Sequence, residues 1–429
     1  MWKWFHRSSM MTRTIIGFLG FILIGTILLS LPISLEPGKT ISWTDALFTA
    51  TSAVCVTGLI VVDTPEHFSF FGEFVILLLF QIGGLGIILA STVVLLGIRN
   101  SLSLQHRLSL QENFKGWEFG RIQKALRRVI RWFFCVEIAG AVILSLAFYR
   151  SMQWSDAVWQ GVFHAVSAIC NAGFSVRSNS LVDFANDPAV IVPVMILIIF
   201  GGLGFVVIAE ILQWKQIHSL SIHTKSIFWG SLGFIAGGTL VFALLENATF
   251  WEYLFQSVTA RTAGFHSVDL TAWGTASILG FFLMMFVGAG PGSTAGGIKL
   301  TSLFVVLADF WRRLRRGKNV HWMHRRLSNS LVNESLVLVS LGVMIVGAMT
   351  FLLAVVEPFS LQKITFEVFS ALGTVGLSLG ITPELSMIGK FVIIICMFLG
   401  RLGPLTFAYL VISRTEERYT YPEEDIMIG

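Results

Sequence analysis

Four short stretches, each closing on a glycine, recur between paired apolar runs, and this repeat constrains the fold more than any other feature of the chain. They read Phe48-Thr-Ala-Thr-Ser-Ala-Val-Cys-Val-Thr-Gly58, Phe163-His-Ala-Val-Ser-Ala-Ile-Cys-Asn-Ala-Gly173, Leu254-Phe-Gln-Ser-Val-Thr-Ala-Arg-Thr-Ala-Gly264 and Phe366-Glu-Val-Phe-Ser-Ala-Leu-Gly-Thr-Val-Gly376. The flanking apolar runs are Thr14 to Leu31, about Phe70 to Leu96, Val129 to Phe148, Ala189 to Leu212, Ile227 to Leu245, Ile278 to Phe310 with an interruption, Leu331 to Val356 and Met387 to Ile412. Each is long enough to cross a bilayer, whereas the glycine-ended stretches are too short. The unit is therefore span, re-entrant segment, span, four times over: an all-α polytopic membrane protein with eight spans and four re-entrant segments around a pseudo-fourfold axis. With 55% hydrophobic and only 13% charged residues, a soluble globule is excluded. The first run follows Lys3, Arg7 and Arg13 like a secretory signal, but no small-residue cleavage site follows it and seven further spans do.

Loop charges give the orientation. Arg99, Arg107, Lys115, Arg121, Lys124, Arg127, Arg128 and Arg131 lie between spans two and three, and Arg312, Arg313, Arg315, Arg316, Lys318, Arg325 and Arg326 between spans six and seven. Positive loops stay inside, so both termini are expected in the cytoplasm. The opposite loops carry Glu36, Asp63, Glu66, Asp156, Asp183, Asp187, Glu246, Asp269, Glu357 and Glu384, an acidic face that either gathers cations or merely solvates the loops. The net charge of +5 thus reflects topology and not nucleic-acid binding. Units are expected at residues 1–100, 101–225, 226–325 and 326–413, with a tail over 414–429. That tail mixes five acids with a terminal Ile-Met-Ile-Gly, and either docks on a neighbouring subunit or frays.

A helix dipping halfway into a membrane has to be buried in protein, because its terminal carbonyls cannot face lipid. Its C-terminus is the negative end of the macrodipole, and four such ends on one axis favour a cation. Beyond each helix the backbone has to stretch with its carbonyls inward, which glycine permits. Rings of carbonyls then replace the hydration shell of a bare ion. The expected cation-binding residues are Val56, Thr57 and Gly58; Asn171, Ala172 and Gly173; Thr262, Ala263 and Gly264; and Thr374, Val375 and Gly376. The fourth copy, Thr374-Val-Gly-Leu-Ser378, is close to the TVGYG filter of tetrameric potassium channels.

The sixth span is interrupted by Gly288-Ala-Gly-Pro-Gly-Ser-Thr-Ala-Gly-Gly297, which cannot sustain an ordinary helix. Irregular backbone at that depth lines a cavity or is buried in protein, so Gly290, Pro291, Gly292, Ser293, Thr294, Ala295, Gly296 and Gly297 are read as a barrier across the path; a packing kink is the alternative. A phosphate loop fails because its lysine is displaced to Lys299 and no strand precedes it, and a dinucleotide turn fails because Ser293 replaces the third glycine. Gly83-Gly-Leu-Gly86, Gly201-Gly-Leu-Gly204 and Gly400-Arg-Leu-Gly-Pro404 in the other second spans read as close packing behind the filter. Arg401, alone in an apolar run, costs several kcal/mol unless it finds partners. It either orders the loop through its carbonyls and adds a positive barrier, or pairs with a buried acid. Arg261 is expected to point away from the axis and brace the third segment against Glu252, Asp269 or Glu367; His164 and Glu367 read as polar groups flanking the helices. Cys55, Cys135, Cys170 and Cys396 lack metal or disulfide spacing and read as packing thiols. No nucleophile or metalloprotease motif appears, so the chain is not an enzyme.

The four segments together with Gly290-Pro-Gly-Ser-Thr-Ala-Gly-Gly-Ile-Lys299 resemble the Trk/Ktr/HKT superfamily of potassium uptake proteins over essentially the whole chain, and most closely the membrane subunits of its bacterial Ktr branch. TrkH-type members carry extra N-terminal helices, whereas the first repeat here begins near residue 13. In the superfamily a glycine in all four segments goes with potassium and a serine in the first copy with sodium in some plant members, so the resemblance implies K+ as the transported ion. It also implies that residues 290–297 form an intramembrane gate beside Arg401. The implied partners are a second copy of the chain, each with its own pore, membrane lipid, and a KtrA-like cytosolic octameric ring that senses ATP and ADP; Na+ is the implied activator. The rival function is a sodium-coupled potassium symporter, although such carriers typically show two repeats. The expected location is the bacterial cytoplasmic membrane.

Overall fold

The computed structural model describes residues 10–98, 119–213 and 220–403. Much of the first basic loop and the acidic tail lie outside them. Each repeat supplies a long helix, a short buried helix and a second apolar helix. The first contributes α1 (Met10–Leu29), α2 (Trp43–Val54) and α3 (Phe70–Ile98), and the second α4 (Phe119–Phe148), α5 (Trp154–Cys170), α6 (Pro188–Leu203) and α7 (Phe205–Ile211). The third contributes α8 (Ile222–Leu245), α9 (Phe250–Thr259), α10 (Thr275–Phe286) and α11 (Leu300–Leu314), and the fourth α12 (Asn329–Val356), α13 (Leu361–Gly373) and α14 (Met387–Leu402). A two-residue hairpin, His321–Trp322 against Arg325–Arg326, joins the third repeat to the fourth.

Local chemistry sets the starts of these helices. Ser42, Ser221, Ser328 and Ser386 cap α2, α8, α12 and α14 with side-chain oxygens, and Thr249 with Glu252 forms a reciprocal capping box on α9. Asp187 caps α6 ahead of Pro188, whose missing N–H costs nothing in a first turn. Glu357, just past α12, accepts bonds from the backbone N–H and hydroxyl of Ser386 at 2.9 and 2.7 Å, which fixes where α14 begins.

Apolar side chains cover the outside as well as filling the core, and polar side chains are buried among them. Leu240 and Leu244 on α8, Leu283 on α10, and Met344, Phe351 and Val355 on α12 face outward, while Thr51, Ser52, Ser167, Asn171, Gln256, Thr259 and Ser370 are buried. So much contiguous outward apolar surface suits lipid. The short helices α2, α5 and α13 carry fully buried Phe48, Phe163 and Phe366 at matching places. Three described helices, Arg127–Phe148, Ile222–Leu245 and Asn329–Val356, are long and apolar enough to cross a membrane, and α6 with α7 would make a fourth, bent by 101°. The other apolar runs appear as shorter or interrupted helices among the described residues.

The breaks correct one reading of the sequence. The glycine clusters in the second spans are close-packed, but they also interrupt the helix. Gly86 (φ 70°, ψ 152°), Gly204 (φ 91°, ψ 149°) and Gly403 (φ 84°, ψ 133°) all adopt a region essentially reserved for glycine. A second correction concerns the thiols: Cys55, Cys170 and Cys396 are buried, but Cys135 is exposed.

Candidate ion-conducting site

All four glycine-ended segments meet. A Cβ placed on Gly58 would stand 2.5 Å from the Ala172 carbonyl oxygen and 3.1 Å from the Gly173 Cα; one on Gly173 would stand 2.7 Å from the Ala263 oxygen and 2.9 Å from the Gly264 Cα. One on Gly264 would strike the Val375 oxygen and lie 3.2 Å from the Gly376 Cα, and one on Gly376 would strike the Thr57 oxygen and lie 3.1 Å from the Gly58 Cα. The circuit 58–173–264–376 is closed. All four glycines have positive φ, from 71° to 96°, so both the space and the backbone exclude a side chain.

The descent into this ring is built by helix termination. Val56, Asn171 and Thr374 follow the helix ends in left-handed conformation (φ 57°, 55° and 50°), and the next N–H reaches back five residues: Thr57 to the Ser52 carbonyl, Ala172 to Ser167 and Val375 to Ser370, each at 2.8 Å. Valine and threonine resist that conformation, at a cost of roughly 1–2 kcal/mol per residue. The third copy departs from the pattern: α9 stops at Thr259, and the Ala263 N–H bonds the Thr259 carbonyl at 2.9 Å, with Thr262 at φ 81°.

A hydroxyl on each short helix then ties the strand from behind. The Gly58 N–H donates to Ser52 Oγ (3.1 Å) and the Gly376 N–H to Ser370 Oγ (3.0 Å), while Ser167 and Thr259 donate to the Phe174 and Phe265 carbonyls, both at 2.7 Å. The backbone N–H groups of the first and fourth segments are thus all engaged on the protein side. Among the described residues, no hydrogen bond reaches the carbonyls of residues 56–58, 171–173, 262–264 or 374–376. The Thr57, Thr262 and Thr374 hydroxyls are also buried without partners. Buried oxygens left unpaired at the converging C-termini of helices form an environment for a cation.

Three copies also brace the outer shoulder. His164 Nε2 lies 3.0 Å from Ser175 Oγ, Gln256 donates to Ser267 at 3.3 Å, and Glu367 accepts from Ser378 at 2.9 Å and from Thr382. His164 and Glu367 therefore tie their helices to the strand beyond the glycine. Arg261 corrects its expected pairing: its Nη2 donates to Ser231 Oγ on α8 at 2.9 Å, and none of Glu252, Asp269 and Glu367 is its partner. Because α9 ends at Thr259, Arg261 lies beyond the helix, and its side chain turns to α8.

Residues 287–299 join α10 to α11 directly beneath the ring. Gly296 faces the Thr374 side chain, and a Cβ on Gly297 would lie 3.3 Å from the Gly373 Cα. The loop is stitched to the bend between α6 and α7, with the Gly290 N–H on the Gly202 carbonyl (2.9 Å), Thr294 N–H on Gly201 (3.2 Å) and Phe205 N–H on Gly292 (3.0 Å). Thr294, Ala295, Gly296 and Gly297 are buried, whereas Pro291 and Ser293 are partly accessible and Gly292 is open. Two cations hold it. Arg401 donates to the Thr294 and Gly83 carbonyls, and Lys299 Nζ donates to Ala295 (2.7 Å) and Gly296 (2.9 Å). Arg401 makes no ion pair with an acid among the described residues. Lys299 is a loop residue that the sequence does not mark as a loop brace; its position in an apolar run, the signal that singles out Arg401, singles out Lys299 too. No cluster of three or more metal-binding side chains occurs among the described residues.

This architecture is that of a cation transport protein. The TrkH family, described as cation transport proteins, matches residues 5–245 and again 227–418. The chain is 37% identical over 426 residues to the Ktr system potassium uptake protein B of Bacillus subtilis, covering 96% of this chain and 95% of that one. It is 38% identical to the protein of the same name from Vibrio alginolyticus (97% and 94% covered) and 36% identical to the potassium/sodium uptake protein NtpJ of Enterococcus hirae (96% and 96%). Its fold matches the crystal structure of the potassium transporter TrkH from Vibrio parahaemolyticus with a TM-score of 0.74 at 22% identity, covering 92% of this chain and 84% of that one. The chain belongs to the TrkH family and is a transporter, not an enzyme.

Proposed function

We propose that this protein is the K+-conducting membrane subunit of a Ktr-type uptake system, built of eight spans and four re-entrant segments with both termini in the bacterial cytoplasm. The observation that carries this reading is the closed circuit of Gly58, Gly173, Gly264 and Gly376, with the backbone N–H groups of the first and fourth segments engaged behind it and the carbonyls of all four free. Such a ring can strip and replace the water of one alkali cation at a time. Residues 290–297 obstruct the path beneath it, held by Arg401 and Lys299, and the two positive charges oppose an ion leaving the ring. A KtrA-like octameric ring would sense nucleotide and pull the obstruction aside, acting on a homodimer of this chain.

Sodium is the open element, as the name of the Enterococcus relative includes it. K+ uptake by cells lacking their own uptake systems, with and without the soluble partner and with and without Na+, tests both points. Growth rescue on low K+ is expected, enhanced by the partner. Uptake that vanishes without Na+ and moves both ions in fixed ratio would establish the symporter instead.

Lys299→Met gives a narrower prediction. Removing its charge-assisted bonds to two loop carbonyls, worth roughly 1.5–3 kcal/mol, should raise radiotracer Rb+ flux in the absence of partner about tenfold or more. The K+/Na+ ratio should not move, since Lys299 donates its hydrogen bonds to loop carbonyls.

A further inference from the structure

Asn171 belongs to the second glycine-ended segment, yet its side chain does not stay there. It turns down to the loop, where its amide and the Thr294 hydroxyl lie 2.8 Å apart. With the amide oxygen toward Thr294, the same oxygen receives the Gly202 N–H at 3.3 Å and the amide nitrogen donates to the Ile198 carbonyl at 3.3 Å, so both ends of the amide have partners. Thr294 Oγ1 also lies 3.2 Å from the Ile169 carbonyl, in the last turn of α5. Asn171 thus stands where the end of a short helix, the loop and the last turns of α6 come together. The corresponding residues, Val56, Thr262 and Thr374, are left-handed like Asn171, but none has an amide. The segment therefore carries one side chain able to bond the loop, and the loop presents one hydroxyl to it at a point where Arg401 already grips the Thr294 carbonyl.

We infer that the Asn171 side chain is a positioning residue that latches the loop shut from the filter side: the Asn171–Thr294 hydrogen bond couples the inner end of the second segment to the state of the gate. This rests on the pore reading proposed above and deepens it. When the loop leaves, the amide loses its Thr294 partner while its contacts to α6 remain, so the inner end of the second segment registers the state of the gate. Both groups are buried, so the bond competes with no bulk water while it is formed.

The test uses the full-length chain in proteoliposomes, with Rb+ flux and the K+/Na+ ratio measured side by side. Asn171→Gly keeps the left-handed backbone while deleting the amide, Thr294→Val removes the hydroxyl at constant shape, and Thr294→Ser restores it. Each of N171G and T294V should raise basal flux by roughly fivefold, the net value of one buried hydrogen bond. The double variant should match either single, because both remove the same bond. T294S should sit near the unaltered protein, which keeps the proposal testable even if N171G fails to fold. Flux increases that multiply in the double variant would overturn the latch. So would equal effects of T294V and T294S, or a fallen K+/Na+ ratio in N171G with unchanged flux. An unaltered protein that carries no K+ at all would instead sink the pore reading on which the latch rests.

Discussion

Gly58→Ser is expected to lower the K+/Na+ uptake ratio by about tenfold or more while leaving the protein folded and in the membrane. Gly58 sits at φ 88°, where an L side chain is strained by roughly 1–2 kcal/mol, and its Cβ would stand 2.5 Å from the Ala172 carbonyl oxygen. Neither side can yield freely. The Ala172 N–H is fixed to the Ser167 carbonyl, and Gly58 itself hangs from Ser52 Oγ. The carbonyl therefore moves out of the ring, and the serine hydroxyl enters as a smaller, more mobile ligand. Every 1.4 kcal/mol of differential binding between two ions is a factor of ten in their ratio. Paired uptake of K+ and Na+ by the variant in cells lacking other uptake systems measures it, and an unchanged ratio would remove Gly58 from the filter. Gly376→Ser provides the stronger version, because its Cβ would strike the Thr57 oxygen at the adjoining junction of the circuit.

Deleting residues 290–297 should produce the second large effect, a K+ flux that no longer needs the soluble partner and rises by roughly one to two orders of magnitude. The estimate follows from the charge-assisted bonds of Arg401 and Lys299 to the loop, worth about 1.5–3 kcal/mol each, which no longer hold a barrier in place. Arg401→Gln should reach part of that increase without shortening the chain. Flux unaltered in a deletion that still sorts to the membrane would mean that the loop is a kink in a helix and that the obstruction lies elsewhere. The two variants also separate the roles of ring and loop, since the deletion should conserve the K+/Na+ ratio that Gly58→Ser lowers.

The architecture was legible because the repeat is written in residue types with strict physical duties. A glycine that must adopt positive φ, a hydroxyl six residues earlier and a β-branched or amide residue between them recur in copies one, two and four, and only one backbone course satisfies them together. The third copy, where Thr259 stands one place nearer its glycine, is also where the helix ends early. Arg261's partner was illegible for the same reason: the early exit from α9 sends it to Ser231 on α8, and no sequence period announces that. The second-span glycines were read as packing alone, because a glycine that touches a neighbour and a glycine that breaks a helix look identical in a sequence. In the structure Gly83, Gly201 and Gly400 face the carbonyls of Val54, Ile169 and Leu372 at the short helix ends, while Gly86, Gly204 and Gly403, three residues further on, carry the break. Lys299 and the Asn171–Thr294 contact depend on how an irregular loop folds back, which periodicity does not encode.

The circuit of glycines closes between the first repeat and the last, where Lys390 on α14 and Asp45 on α2 pair at 2.6 Å across most of the chain's length. During synthesis the first three quarters must therefore wait in the bilayer with one flank uncovered, because contacts this distant in sequence form only when the C-terminal helices have left the ribosome. A nascent chain truncated before α13 lacks Gly376 and leaves the circuit of glycines open.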